Sequence, residues 1–130
     1  MNIKEILKYQ MPEGWWDSFG EQMCQEIQDE IDGWADEELE WFDITVKEKY
    51  GELRVYCSAG NDTLDEIFYK YETLAKHTCI HCGQPASWIS KGWIAPYCNK
   101  CAAIEFDIRE KNRPNIEWFD IFSEIKKRTE

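Results

Sequence analysis

Four of the six cysteines in this 130-residue chain stand as two Cys-x-x-Cys pairs, Cys79/Cys82 and Cys98/Cys101. Thiols at this spacing suit one tetrahedral zinc ion, because a tight turn can present two sulfurs at about 2.3 Å from the metal. Gly83, directly after Cys82, suits the positive-φ position of such a turn. A disulfide within each pair is the redox alternative, disfavoured because two pairs this close normally share one metal. Catalytic zinc usually keeps one position open and often uses histidine. Four thiolates would close the site, so a single structural zinc ion is the expected cofactor and no catalytic residue is assigned. The only histidines, His77 and His81, flank the first pair, and either replacing a cysteine is the weaker assignment. A zinc deaminase would need Pro-Cys-x-x-Cys with His-x-Glu; Pro96 is offset from Cys98 by one residue, and no His-x-Glu occurs. Cys24 and Cys57 fall on apolar stripes and read as core residues rather than nucleophiles.

The elements around the cysteines follow from local patterns. Ser87-Trp88-Ile89 and Trp93-Ile94-Ala95 flank Lys91-Gly92, which predicts a short hairpin, and the sequence beyond Cys98 turns helical. Knuckle, hairpin, then a ligand pair opening a helix resembles a treble-clef zinc module across residues 77–111. That resemblance implies zinc, not an activity.

Upstream, Ile3, Ile6 and Leu7 predict a short helix stopped by Pro12. Ser18 and Glu21 fit a capping box before the stripe Phe19, Met23, Ile27 and Ile31, which Gly33 ends. Phe42, Ile44 and Val46, then Leu53, Val55 and Cys57, alternate with polar residues around Tyr50-Gly51, which predicts a β-hairpin. Thr63 and Glu66 suggest a second capping box, opening a helix that runs to about Lys76. After Pro114, Ile116, Phe119, Phe122 and Ile125 predict a final amphipathic helix. The expected fold is α+β: helices packed on a small antiparallel hairpin, a treble-clef-like zinc module, and a C-terminal helix. The expected divisions are an acidic helix–helix–hairpin–helix region over 1–76, the four-cysteine zinc module over 77–111, and the amphipathic helix over 112–130.

Charge is distributed unevenly. The net charge is −11, and residues 9–46 hold twelve acids with no lysine or arginine. Such a segment repels phosphate and anionic lipid and attracts basic surfaces. Seven tryptophans exceed what so small a core hides easily, and surface Trp anchors binding. The candidate partner-binding set is therefore Glu26, Asp29, Glu30, Trp34, Asp36, Glu37, Glu38 and Trp41. The bland reading makes the acids a solubilising face and the tryptophans core. No apolar run approaches the roughly 18 residues of a membrane span, and MNIKEILKYQ has no signal-peptide core, so a soluble cytoplasmic protein is expected.

The combination VKEKYGELRVY, a helix, CxxCG and a second CxxC, over residues 44–101, resembles a group of small uncharacterised zinc-binding proteins of bacteria and their phages. The resemblance implies fold and metal and carries no activity. Small acidic phage proteins include inhibitors of CRISPR nucleases, and size, acidity and this phage-like family together suggest an anti-CRISPR inhibitor of a type II CRISPR nuclease, acting in the host cytoplasm. The expected function is thus non-enzymatic binding of a basic, nucleic-acid-binding protein, with an RNA-guided CRISPR nuclease as the candidate partner. One alternative is a nucleic-acid-binding zinc module using Lys91, Lys100, Arg109, Lys111 and Arg113; another is an immunity-type protein that neutralises a toxin. The whole molecule's charge weighs against direct nucleic-acid binding. No phosphate loop, nucleophile elbow or metal-binding His pair supports an enzyme.

Overall fold

The computed structural model describes residues 1–112 and the backbone of 122–124. Helix α1 (Ile3–Leu7) is capped by Asn2, whose Oδ1 accepts from the Glu5 amide at 3.1 Å. Its Ile3 and Leu7 are buried. Gln28 ties it to the next layer by accepting from the Ile3 amide at 2.9 Å.

Residues 13–31 form a continuous helical run, α2 (Glu13–Trp15), a π-helical segment (Trp16–Gly20) and α3 (Glu21–Ile31). The capping box at Ser18 does not form, because helical geometry already starts behind Pro12, whose fixed φ suits a helix N-terminus. Ser18 lies inside the π segment. That segment places the Trp16 ring over Gly20, where a Cβ would stand 2.3 Å from the ring. The α3 stripe is buried as expected through Met23, Cys24, Ile27 and Ile31, with Phe19 before it. A five-residue helix, α4 (Asp36–Glu40), follows, where periodicity predicted nothing.

The hairpin forms as expected. Strands β1 (Ile44–Lys49) and β2 (Glu52–Cys57) pair from Ile44↔Cys57 to Lys49↔Glu52. Tyr50 and Gly51 take φ of 56° and 76°, the values of a two-residue primed turn. For tyrosine this left-handed conformation costs roughly 1–2 kcal/mol. Helix α5 (Asp62–Ala75) ends where predicted, but its cap is Asn61, which accepts from the Leu64 amide at 2.9 Å, so the Thr63/Glu66 box is not used. Its Leu64, Phe68 and Tyr71 meet α1, α3 and the hairpin in one core.

A second, smaller cluster joins Cys79, Ala95, Tyr97 and Ala102. Around it lie β3 (Trp88–Ser90), β4 (Pro96–Tyr97) and α6 (Asn99–Asn112). The second hairpin strand is shifted from the expected Trp93–Ala95 to Pro96–Tyr97, because Ser90 pairs with Ala95 across the loop. The α+β class, with a cysteine cluster compatible with a zinc module and helix α6 toward the C-terminus, matches the sequence expectation.

The amphipathic helix expected over 112–130 falls largely outside the described residues. Within it, β5 (Phe122–Glu124) is extended rather than helical and pairs antiparallel with β3. Pairing there gives the outer edge of β3 the partner it would otherwise lack. Among the described residues, no helix is long and apolar enough to cross a membrane.

Candidate metal centre

The sulfurs of Cys79, Cys82, Cys98 and Cys101 all lie within 4.8 Å of one another. Cys82 and Cys98 approach to 3.5 Å. Tetrahedral ligation at about 2.3 Å places sulfurs about 3.8 Å apart, so small side-chain shifts close this set around one ion. The donor chemistry fits a borderline or soft metal. Neither histidine belongs to the cluster. His81 instead faces Tyr97, with ring centres 5.4 Å apart, and its Nε2 lies 4.0 Å from Glu105.

Local backbone chemistry builds each half. In the first, Gly83 turns at φ 81°, its amide donates to the Cys79 carbonyl at 3.1 Å, and the Cys79 amide donates to Gln84 O at 2.7 Å. In the second, Cys98 precedes α6 and Cys101 sits in its first turn, where the Cys101 amide donates to Cys98 Sγ at 3.4 Å. Burial pushes the Cys98 thiol up, but that amide and the adjacent thiols outweigh it and hold Cys98 below the ordinary thiol value. The Cys82 and Cys101 thiols of the same cluster are pushed the other way, Cys101 chiefly by burial and by the neighbouring thiols. Cys79 is fully buried and Cys82 is exposed, so the cluster has one wet edge.

The knuckle is anchored to the N-terminal region through residues that sequence reasoning did not single out. The Gly14 amide donates to Ile80 O at 3.0 Å, and a Cβ at Gly14 would lie 2.4 Å from Cys79 O. The fully buried Trp15 donates from Nε1 to Thr78 O at 3.0 Å. Truncating such a buried tryptophan costs about 3–5 kcal/mol. Only the adjacency Gly14-Trp15 hints at this joint; periodicity carries no signal for it.

The candidate partner residues separate into two groups. Glu26 accepts from Lys70 Nζ and from the Tyr71 hydroxyl. Glu30 accepts from Asn61 Nδ2 at 2.8 Å and Trp34 Nε1 at 3.3 Å, and Asp29 accepts from Gln25 Nε2 at 2.7 Å. Trp34 is half-buried, edge-to-face on Phe42 with centroids 5.3 Å apart. Glu26, Glu30 and Trp34 therefore work inside the fold. Asp36, Glu37 and Glu38 are exposed on α4, Glu38 accepting from the Ala35 amide at 3.1 Å. Trp41 follows α4 and is 78% exposed.

In the alternative basic set, Arg109 donates to Glu105 at 3.0 Å, Lys91 O at 3.2 Å and Trp93 O at 3.1 Å, while Arg113 lies outside the described residues. Cys24 is buried, which pushes its thiol up to about 11, and burial also raises Cys57. Both are poor nucleophiles at neutral pH. Comparison with family models, curated proteins and solved structures finds no match for this chain.

Proposed function

We propose that this chain is a zinc-braced, non-enzymatic binding protein that docks a basic surface of a nucleic-acid-binding protein through α4 and Trp41. Zinc is the reading for the ion because four cysteine thiolates at C-x-x-C spacing are its usual structural set. Such an ion has no open position, which supports a bracing role. One observation carries the docking reading: Asp36, Glu37, Glu38 and Glu40 are all exposed on one short helix that leads into an exposed tryptophan. No ion pair to these four carboxylates occurs among the described residues. An unpaired acidic patch speeds encounter with lysine- and arginine-rich channels, and a central aromatic supplies the anchor.

An RNA-guided nuclease of a type II CRISPR system is the first partner to test. The triple reversal Asp36→Lys, Glu37→Lys, Glu40→Lys should weaken binding at least tenfold at low salt, and the wild-type affinity should fall steeply with added salt. Glu26, Glu30 and Glu38 are left intact in this variant because they hold the fold. Unchanged affinity in a folded triple variant would reject the docking face.

A further inference from the structure

The tips of the two hairpins meet. A Cβ at Gly51 would lie 3.0 Å from Ile94 O, so the β1–β2 turn rests directly on the loop between β3 and β4. Beside this contact is a cavity of about 290 Å³ lined by Glu48, Lys49, Tyr50, Gly92, Trp93 and Ile94. Two rings flank it, and both are largely exposed: Tyr50 at 65% and Trp93 at 76%.

Neither ring is there by default. Tyr50 occupies a left-handed turn position that asparagine or glycine would fill with less strain. Trp93 is carried on a loop fixed from within: the buried Ser90 hydroxyl donates to Trp93 O and accepts from the Ala95 amide at 2.9 Å. Arg109, only 15% exposed at its side chain, grips Lys91 O and Trp93 O from α6. An exposed aromatic on a pre-ordered loop loses little entropy on binding.

The charge at the groove selects the ligand. Lys49, exposed in the lining of the groove, stands 5.7 Å from the Tyr50 ring centre. The one carboxylate in the lining, Glu48, already accepts from the Gly51 amide at 2.8 Å. Two π-faces with a flanking ammonium group match an unstacked base and its phosphate.

We propose that this groove is a base-stacking subsite for single-stranded nucleic acid. It departs from the expectation set by net charge, and it is independent of the α4 docking face. The test is titration of the metal-loaded protein with fluorescein-labelled U12 RNA in low salt, alongside a 12-base-pair duplex. U12 should bind and quench tryptophan emission, and the duplex should not. Trp93→Ala and Tyr50→Asn should each weaken U12 binding roughly tenfold. Asparagine tolerates the φ of residue 50, so Tyr50→Asn should melt no lower than wild type, which separates ligand loss from unfolding. Lys49→Ala should flatten the salt dependence. Absent U12 binding, or wild-type affinity retained by both ring variants, overturns the proposal. So does loss of a protein partner, rather than RNA, on Trp93→Ala, which would make the groove a protein contact.

Discussion

Glu26 offers a sharp test of which acids serve the fold. Its carboxylate takes the hydroxyl of Tyr71, a residue 1% exposed and stacked on Phe19 with centroids 5.5 Å apart. It also takes Lys70, in a pair whose side chains are 52% and 32% exposed. Glu26→Ala strands a buried phenol, which costs about 1–3 kcal/mol. The exposed Lys70 pair adds at most about 0.5 kcal/mol after solvent screening. The expected loss is therefore about 2 kcal/mol. Tyr71→Phe removes the donor while leaving the carboxylate its lysine and water, and should cost only about 1 kcal/mol. The double variant should show a coupling of about 1 kcal/mol.

Urea unfolding of the metal-loaded protein, followed by tryptophan emission, reads all four members of the cycle. Acid gives a second reading. Burial pushes the Glu26 carboxyl up, but Lys70 and Tyr71 outweigh it, so its folded value lies below the ordinary 4.5. A depressed carboxyl contributes stability that is complete above 4.5 and fades as pH falls through the folded value. The gap between wild type and Glu26→Ala should be constant at neutral pH and shrink below 4.5. Taking the difference at each pH removes the acid sensitivity of the thiolate cluster, which both proteins share. A Tyr71→Phe penalty equal to or larger than that of Glu26→Ala would refute the argument, as would a gap that ignores pH.

Two further outcomes follow from the metal centre. Chelation at neutral pH should lower the melting temperature by more than about 10 °C, because an ion bound only by the folded state stabilises it by mass action; a thiol reagent should then label Cys79, Cys82, Cys98 and Cys101 quickly and the buried Cys24 slowly, and equal labelling with and without chelator would argue against a bound ion. Gly14→Ala should destabilise by more than about 2 kcal/mol and weaken metal retention, because its Cβ meets backbone at 2.4 Å, whereas Gly92→Ala, with nothing within 4 Å and only a φ of 78° to resist it, should cost about 1 kcal/mol. Similar melting curves for the two alanine variants would refute the close approach at Gly14.

Elements governed by local chemistry were legible in the sequence. The β1–β2 hairpin, the α3 stripe and the end of α5 depend on neighbours within a few residues, and the four-cysteine set is announced by two local Cys-x-x-Cys pairs. Helix starts were misread where two signals competed: Pro12 overrode Ser18, and Asn61 pre-empted Thr63. Helix α4 was missed because it carries no apolar stripe and buries no residue. The acidic candidates were legible as charges but not as roles. Composition cannot distinguish Glu26, facing Lys70 and Tyr71 from a helix 44 residues away in sequence, from Glu37 in open solvent. The groove escaped because its two rings come from turns 43 residues apart, joined only by packing.

The metal centre connects these surfaces mechanically. At one end, the knuckle carrying Cys79 and Cys82 presses on Gly14, and a Cβ at Gly83 would lie 2.7 Å from Gly14 O. At the other, the loop carrying Trp93 rests on Gly51 and is gripped by Arg109 from α6, the helix whose first turn holds Cys101. Both contacts are backbone on backbone, made possible by the missing Cβ, so neither can slide without a clash. An ion that joins the knuckle to the start of α6 therefore fixes two contacts with the helical body at once. The second core is too small to hold that geometry by apolar burial, since it centres on Cys79, Ala95, Tyr97 and Ala102. Four metal–sulfur bonds would take the place of the missing core, and the position of the Trp93 loop would depend on them.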